Sequence, residues 1–172
     1  STPHVFVAVY SWEDGSFSEL PSITLDIGKQ DRSLRCNNFS MLDHDADGDQ
    51  ELVLSLGSPY RGFAILDLDS QGRLVIIKKI RPDEMLVGSG LLYSAVVDYD
   101  NDGYEDLLAI SPEGNTIKAQ PFYNIGGIFD SGPLIRKNFE GISGILHNSF
   151  QLTDWDADGF KDVLAPFRSG DI

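Results

Sequence analysis

Cysteines, basic residues and long apolar runs are scarce in this chain of 172 residues. Cys36 is the only cysteine, so the chain forms no internal disulfide, and we expect this thiol to be a small core residue rather than a nucleophile. The 13 Lys and Arg against 27 Asp and Glu give a net charge of −14, which excludes nucleic acid and disfavours anionic membranes as partners. No apolar run reaches the roughly 20 residues of a membrane helix, so we expect no membrane insertion.

Hydrophobic residues make up 41% of the chain, and Phe and Tyr are plentiful, which predicts a packed globular structure. Apolar and polar residues alternate with period two in many short segments, and no segment has a helical period with caps. The sequence therefore predicts an all-β fold.

An acidic phrase of nine residues occurs three times. It is "DHDADGDQE" at 43–51 (loop 1), "DYDNDGYED" at 98–106 (loop 2) and "DWDADGFKD" at 154–162 (loop 3). The phrases begin 55 and then 56 residues apart, and an alternating strand precedes and an apolar strand follows each one. Self-similarity at a fixed period of this length is typical of a repeat architecture.

A second landmark also recurs once in each repeat. It is a glycine in a short segment of turn-forming residues, at Gly15, Gly72 and Gly127, where we expect hairpin turns. Each repeat then reads as four strands, which in the first full repeat are predicted at 37–43, 51–57, 62–69 and 73–80. The predicted repeats are 1–35 (partial), 36–90, 91–147 and 148–172 (partial), all within one domain.

Four-stranded units of this length predict the blades of a β-propeller. A β-sandwich does not predict an internal repeat of 55 residues, and the repeat of a β-helix is much shorter. Two partial repeats around two complete ones leave two possibilities for closing a propeller. The chain is part of a longer propeller, or identical chains complete one another's blades in a ring.

The spacing of acids within the phrase predicts metal sites. Asp occupies positions 1, 3 and 5, Gly occupies position 6 where a sharp turn is needed, position 7 can offer a backbone carbonyl, and position 9 is acidic. Oxygen ligands of this kind select a hard cation, and calcium fits best, with one ion per loop. The predicted ligands are Asp43, Asp45, Asp47, Asp49 and Glu51; Asp98, Asp100, Asp102, Tyr104 and Asp106; and Asp154, Asp156, Asp158, Phe160 and Asp162.

An EF-hand loop begins in the same way but needs Glu at position 12 and helices on both sides. Here position 12 is Leu54, Ala109 or Ala165, and the flanks are predicted strands. The phrases are therefore not EF-hands.

The three phrases resemble the D-x-D-x-D-G-x-x-D loops of FG-GAP and VCBS repeats, which are found in the propeller of integrin α subunits and in many secreted proteins. Glu51 is the one departure, at the last acid, and "LGSPYRGFAI" at 56–65 is similar to the Gly-Ala-Pro stretch of that family. The resemblance implies structural calcium sites, a seven-bladed propeller, and a location outside the cell, on its surface or in the periplasm.

The sequence shows no catalytic constellation. His4, His44 and His147 are far apart, no G-x-S-x-G occurs, and we expect the side chain of His44, at position 2 of its loop, to face solvent. We therefore expect a chain that is not an enzyme.

Two classes of function stay open. The first is an extracellular binding or adhesion module that presents its loops to a protein or glycan. The alternative is a non-catalytic scaffold portion of a secreted carbohydrate-active enzyme or lectin. Trp12, Tyr60 and Trp155 are candidates for stacking on sugars, and Asn38 lies in a possible glycosylation sequon.

Overall fold

The computed structural model describes residues 5–7, 10–19, 23–25, 36–57, 60–83, 86, 91–140, 142–145, 150–159, 161–164 and 166–169. Within these ranges the regular structure consists of β-strands. In chain order they are β1 (Val5–Val7), β2 (Tyr10–Glu13), β3 (Ser16–Glu19), β4 (Ile23–Leu25), β5 (Cys36–Leu42), β6 (Glu51–Leu56), β7 (Gly62–Leu68), β8 (Leu74–Ile80), β9 (Tyr93–Val97), β10 (Asp106–Glu113), β11 (Thr116–Ile125), β12 (Ile128–Ser131), β13 (Ile135–Asn138), β14 (Ile142–Ile145), β15 (Gln151–Thr153), β16 (Asp162–Leu164) and β17 (Phe167–Ser169).

The first sheet is an antiparallel meander of β5, β6, β7 and β8, in that order. Its four strands begin and end within one residue of the bounds predicted for the first full repeat. Loop 1 joins β5 to β6, and a tight turn that contains Gly72, at φ 72°, joins β7 to β8. The prediction succeeds because alternation and turn residues are local signals.

The second sheet has five strands, in the order β9, β10, β11 and β12, with β13 also paired to β11. Four strands were expected, and the fourth is divided in two. The chain breaks at Gly132 and Pro133, where proline has no N–H to donate to a ladder. Gly132 donates its N–H to Pro121 O at 2.8 Å, and a Cβ on Gly132 would lie 2.7 Å from Pro121 Cγ, so glycine is needed at the break.

Two hairpins flank these sheets in the sequence. In the N-terminal hairpin β1 pairs with β4 and β2 with β3, around a turn at Asp14 and Gly15. Both turn residues have positive φ, 50° and 79°, as the mirror-image hairpin turns require. In the C-terminal hairpin β14 pairs with β17 and β15 with β16, and loop 3 joins β15 to β16.

The main hydrophobic core lies between the first and second sheets. Phe63 of β7 and Phe122 of β11 meet there edge to face, with ring centroids 6.3 Å apart. Strand alternation explains which residues enter this core, since Leu107 and Ala109 of β10 face the first sheet while Leu108 and Ile110 point the other way. The remaining buried members are Leu42, Val53, Ile65, Ile80, Leu86 and Leu92.

The second sheet is apolar on both faces. On the face away from the first sheet, Tyr93, Leu108 and Ile110 form a separate buried cluster. Phe150, which precedes β15, packs on Tyr93 with ring centroids 5.3 Å apart. The second sheet is thus covered by the first sheet on one side and contacted by the start of β15 on the other.

A polar seam joins the edge strands β5 and β9. Asn38 Nδ2 donates to Ser94 O, and Ser94 N donates to Asn38 Oδ1, each at 3.0 Å. The hydroxyl of Ser94 lies 2.6 Å from that of Ser40 and accepts from that of Ser55 at 2.8 Å. Because Asn38 uses both ends of its amide on Ser94, the structure favours a packing role for this residue over glycosylation.

The all-β prediction is confirmed as antiparallel sheets of four and five strands. The propeller remains a prediction, because stacked sheets do not by themselves show a closed ring. The expectation of a buried thiol is wrong, since Cys36 is exposed at the start of edge strand β5. Among the described residues no helix is long and apolar enough to span a membrane.

Candidate metal-binding loops

The three acidic loops share one backbone conformation. The glycine at position 6 has a φ of 95° at Gly48, 94° at Gly103 and 93° at Gly159, so the sharp turn predicted there is present in each loop. Position 4 is also left-handed, with φ of 60° or 61°. The residues there are Ala46, Asn101 and Ala157, and sequence reasoning missed this position. Alanine costs about 1–2 kcal/mol in such a conformation, so the rest of the loop must hold it in place.

Backbone N–H groups of the turn hold the carboxylate of position 1. Its Oδ2 accepts the N–H of the position-6 glycine at 3.1 Å in all three loops. In loops 2 and 3 its Oδ1 also accepts the N–H of position 5, at 3.1 Å in Asp98 and 3.0 Å in Asp154. The loop is therefore wrapped around its first carboxylate.

Carboxylates from separate positions converge in each loop. One ligand atom from each of three residues lies within 4.8 Å of the others in the sets Asp43, Asp45 and Asp47; Asp98, Asp100 and Asp106; and Asp154, Asp156 and Asp162. All three sets thus contain the residues at positions 1 and 3. The third residue of the set comes from position 5 in loop 1 and from position 9 in loops 2 and 3. Two unit charges about 4 Å apart repel by roughly 4 kcal/mol near a protein surface, which a bound cation would reverse.

Asp102 lies outside the set of its loop, whereas Asp47 belongs to the set of loop 1. Both carboxylates also accept a backbone N–H two residues further along, from Tyr104 to Asp102 at 2.8 Å and from Asp49 to Asp47 at 2.9 Å. The carboxylate of position 5 therefore also stabilises the second half of the turn. Phe160, the predicted position-7 ligand of loop 3, lies outside the described residues.

The position-9 carboxylate has a second role that the spacing does not reveal. In every loop it accepts the backbone N–H of position 2 and so ties the start of the loop to its end. The distances are 2.8 Å from His44 N to Glu51 Oε2, 2.7 Å from Tyr99 N to Asp106 Oδ2 and 3.0 Å from Trp155 N to Asp162 Oδ2.

Burial differs sharply at position 9. Glu51 and Asp106 are buried, with 3% and 1% of their surface exposed, whereas Asp162 is exposed. Burial raises the pKa of Asp106 above its ordinary value, and the charges of Asp100 and Asp102 act in the same direction. The N–H groups of Asn124 and Tyr99 oppose this rise in pKa but do not cancel it.

The prediction that the side chain of His44 faces solvent is wrong. Its side chain is only 16% exposed, and its Nδ1 lies 2.9 Å from Glu51 Oε2. Glutamate is one methylene longer than aspartate, which lets the carboxylate reach the imidazole. His44, Asp45 and Glu51 also place ligand atoms within 4.8 Å of one another. The signal was present in the sequence, because the loop with His at position 2 is also the loop with Glu at position 9.

Loop 1 contains a buried oxygen that the fold does not satisfy. Asp43 Oδ2 accepts from Gly48 N, but among the described residues no donor reaches Asp43 Oδ1, which is shielded from solvent. A buried carboxylate oxygen without a partner is costly, and a cation would supply what is missing. Together with the three converging carboxylates in each loop, this oxygen fits a hard cation.

Loops 1 and 2 are in direct contact. Glu105, at position 8 of loop 2, accepts the N–H of Asp43 through Oε2 at 2.9 Å. Asn124 Nδ2 donates to His44 O at 2.7 Å and to Glu105 O at 3.1 Å. Neither residue was predicted to take part in the site. Their contacts join residues 62 and 80 positions apart, and no local pattern could have revealed them.

The exposed aromatic residues only partly match the predicted stacking candidates. Trp12 and Trp155 are 62% and 75% exposed, but Tyr60 is 5% exposed and its ring lies 5.2 Å from Arg81 Cζ, so it is a packing residue. Tyr99, at position 2 of loop 2, is 46% exposed and was not predicted. Of the histidines, His4 and His147 lie outside the described residues.

A cavity of about 400 Å³ lies between the second sheet and the C-terminal hairpin. Its lining includes Ile110, Ile117 and Phe139 on one side and Val163 and Leu164 on the other. The lining is mainly apolar, and no predicted metal ligand is part of it within the described residues.

Comparison of the chain with protein-family models, with curated proteins and with solved structures found no match.

Proposed function

We propose that this chain is a calcium-stabilised binding module built from propeller-type blades. The observation that carries the proposal is the threefold recurrence of one loop, with the same backbone angles and with converging carboxylates. Acidic turns are common, but three turns that share these features across a regular repeat point to one purpose.

Calcium suits these loops better than magnesium does. Calcium takes six to eight oxygens at about 2.3–2.6 Å in flexible geometry, so two oxygens on opposite sides of one ion lie up to about 5 Å apart. The converging atoms lie within 4.8 Å of one another, which is compatible with this geometry. Magnesium needs a tighter octahedron and usually keeps several waters, so a loop of many carboxylates is less typical of it.

The arrangement of the sheets supports the propeller part of the proposal. The first and second sheets stack face to face, and the second sheet has a further apolar cluster on its other face that Phe150 contacts. Repeated sheets that are apolar on both faces are what radially packed blades need. The resemblance to FG-GAP and VCBS repeats implies a seven-bladed propeller and an extracellular, cell-surface or periplasmic location. In this proposal, further blades or identical chains complete the propeller.

In this proposal the ions stabilise the fold and the ligand binds to exposed loops. The ligand is a protein or glycan, and the chain itself carries no catalysis. The alternative, a scaffold portion of a secreted carbohydrate-active enzyme or lectin, is favoured by the exposure of Trp12 and Trp155, because indole rings stack well on sugars.

Thermal unfolding with calcium and with EDTA tests the proposal. A ligand at 100 times its dissociation constant stabilises the native state by about 2.7 kcal/mol, so three sites would contribute roughly 8 kcal/mol. We expect calcium to raise the melting temperature by more than about 10 °C.

Matched charge changes complete this test. Asp154→Asn should reduce the calcium-dependent stabilisation by about a third and Asp98→Asn by at least as much, whereas Asp130→Asn, an exposed acid outside the loops, should leave it unchanged. Equal melting temperatures with calcium and EDTA would refute the role of calcium. Binding to a glycan array that is lost in Trp155→Ala would favour the lectin alternative.

A further inference from the structure

We propose that loops 1 and 2 bind their cations cooperatively, because Glu105 and Asn124 fix the backbone of loop 1 to loop 2. This inference rests on the proposed calcium sites and adds their regulation. It predicts that loop 3 does not share in this coupling.

Glu105 makes the first connection. It stands beside Asp106, the buried position-9 carboxylate of loop 2, and its own carboxylate accepts the N–H of Asp43 at 2.9 Å. Asp43 is the position-1 ligand of loop 1 and carries the buried oxygen that no donor reaches within the described part of the chain. A residue of one loop therefore sets the position of the first ligand of the other.

Asn124 makes the second connection. It is only 1% exposed, and its backbone N–H donates to Asp106 Oδ1 at 2.7 Å. Its side-chain Nδ2 donates to the carbonyls of His44 and Glu105, and its Oδ1 accepts the N–H of Gly127 at 2.9 Å. One buried side chain thus contacts the backbone of both loops while its own backbone holds a predicted ligand of loop 2.

These contacts connect the ordering of the two loops. Without cations, the converging carboxylates of each loop repel one another and oppose the wrapped conformation. A cation in loop 2 fixes Asp106 and with it the neighbouring Glu105 and Asn124, which then hold Asp43 and His44. A second cation finds loop 1 already ordered and binds more tightly, and by linkage the effect is reciprocal.

Loop 3 supplies an internal comparison. Its position 8 is Lys161, and an ammonium group has no acceptor for the N–H of Asp98 at the start of loop 2. The contact that Glu105 makes to loop 1 therefore cannot be repeated from loop 3 to loop 2. Coupling should be strong between loops 1 and 2 and weak between loops 2 and 3.

The test follows each loop separately in the full chain by amide NMR during a titration with CaCl₂. The N–H signals of Gly48, Gly103 and Gly159 report the three loops, since each of these groups is bound to its own position-1 carboxylate. The double variant Asp98→Asn/Asp100→Asn disables loop 2. We expect the calcium midpoint of loop 1 to rise at least about fivefold in this variant, while that of loop 3 stays within twofold.

Substitutions at the connection test the mechanism. Glu105→Ala should remove most of the effect of loop 2 on loop 1, Glu105→Gln should retain much of it because an acceptor remains, and Lys161→Ala should change nothing. If Glu105→Ala disturbs folding, Glu105→Gln and the double variant still test the coupling.

If the loops bind calcium but the calcium midpoint of loop 1 is the same whether or not loop 2 is disabled, the coupling is overturned and the proposed function still stands. Amide signals that do not respond to calcium at any loop would overturn both proposals. An equal rise in the midpoints of loops 1 and 3 would assign the effect to general destabilisation and overturn the connection through Glu105.

Discussion

Loops 2 and 3 have nearly the same conformation and very different surroundings. At position 4, φ is 60° in Asn101 and 61° in Ala157, and at position 6 it is 94° in Gly103 and 93° in Gly159. Their position-1 carboxylates accept the same two backbone N–H groups at distances that agree within 0.1 Å. The nine-residue phrase therefore determines the shape of its own turn.

The difference begins where each loop enters its next strand. Asp106 and Leu107 are 1% and 0% exposed, whereas Asp162 is exposed and Val163 is 42% exposed. The third strand of the second sheet supplies Asn124 to Asp106, while the described part of the C-terminal hairpin pairs β16 with β15. Neighbouring strands, and not the phrase, thus set the electrostatics and the packing of each loop.

The largest difference should come from the first apolar residue after each loop. Leu107→Ala creates a cavity between the first and second sheets and should lower the free energy of unfolding by about 2–5 kcal/mol. Val163→Ala removes a partly exposed side chain and should cost less than about 1 kcal/mol. Urea denaturation in EDTA measures both without a contribution from metal. Similar losses in the two variants would mean that Val163 is as well packed as Leu107.

The second largest difference in stability should come from substitutions of the position-9 carboxylates, Asp106 and Asp162. In metal-free protein, Asp106→Asn places an NH₂ group against one of two backbone N–H donors, from Tyr99 and Asn124. We expect a net loss of about 1–3 kcal/mol, because the unpaired N–H outweighs the relief of a buried charge. Asp162→Asn at the surface should cost less than about 0.5 kcal/mol. An increase in stability in the Asp106 variant, measured by urea denaturation in EDTA, would reverse this ranking of the two effects.

The turn glycines should not differ at all. A Cβ on Gly103 or Gly159 would meet nothing within 4 Å, so only the backbone conformation opposes Gly103→Ala and Gly159→Ala. Each should cost about 1–2 kcal/mol, equal within about 0.5 kcal/mol, in the same denaturation experiment. Unequal costs would show that the surroundings also shape the turn.

The smallest effect concerns the pH dependence of an acid outside the loops. Arg73, through side-chain and backbone N–H groups, lowers the pKa of Asp69 from 3.8 to about 2, while burial raises the pKa of Asp106. The lowered pKa means that Asp69 contributes stability above pH 4, and this is lost as the pH falls from about 4 to 2. Asp106 has a raised pKa, so its effect on stability has the opposite sign, and its ionisation makes folding less favourable as the pH rises. Carboxyl NMR titration should show Asp69 titrating well below Asp106, and Arg73→Gln should return Asp69 towards 3.8.

The sequence predicts most of what is local in this structure. The strands of the first sheet, the hairpin glycines and the position-6 turns all follow from alternation, from turn chemistry and from one spaced motif. The left-handed position 4 was missed, because Asn101 is the only one of the three residues there whose side chain favours this conformation, and Ala46 and Ala157 give no signal of it.

What depends on distant neighbours could not be predicted. The role of Asn124 requires that the end of β11 lies beside two loops, and the burial of Tyr60 depends on its packing with Arg81. His44 and Glu51 pair because both sit in the same loop, yet spacing alone does not say that the imidazole turns inward. In each case a partner far away in the sequence, or a choice of rotamer, decides the outcome.

The seam between β5 and β9 has a consequence for solubility. An edge strand presents N–H and C=O groups on which another chain can add a strand, and both strands of the seam are edges of their sheets. The amide of Asn38 occupies both the N–H and the C=O of Ser94, and Asn37 occupies Leu92 O. Two asparagine side chains thus close part of an edge that would otherwise be open to aggregation through strand addition.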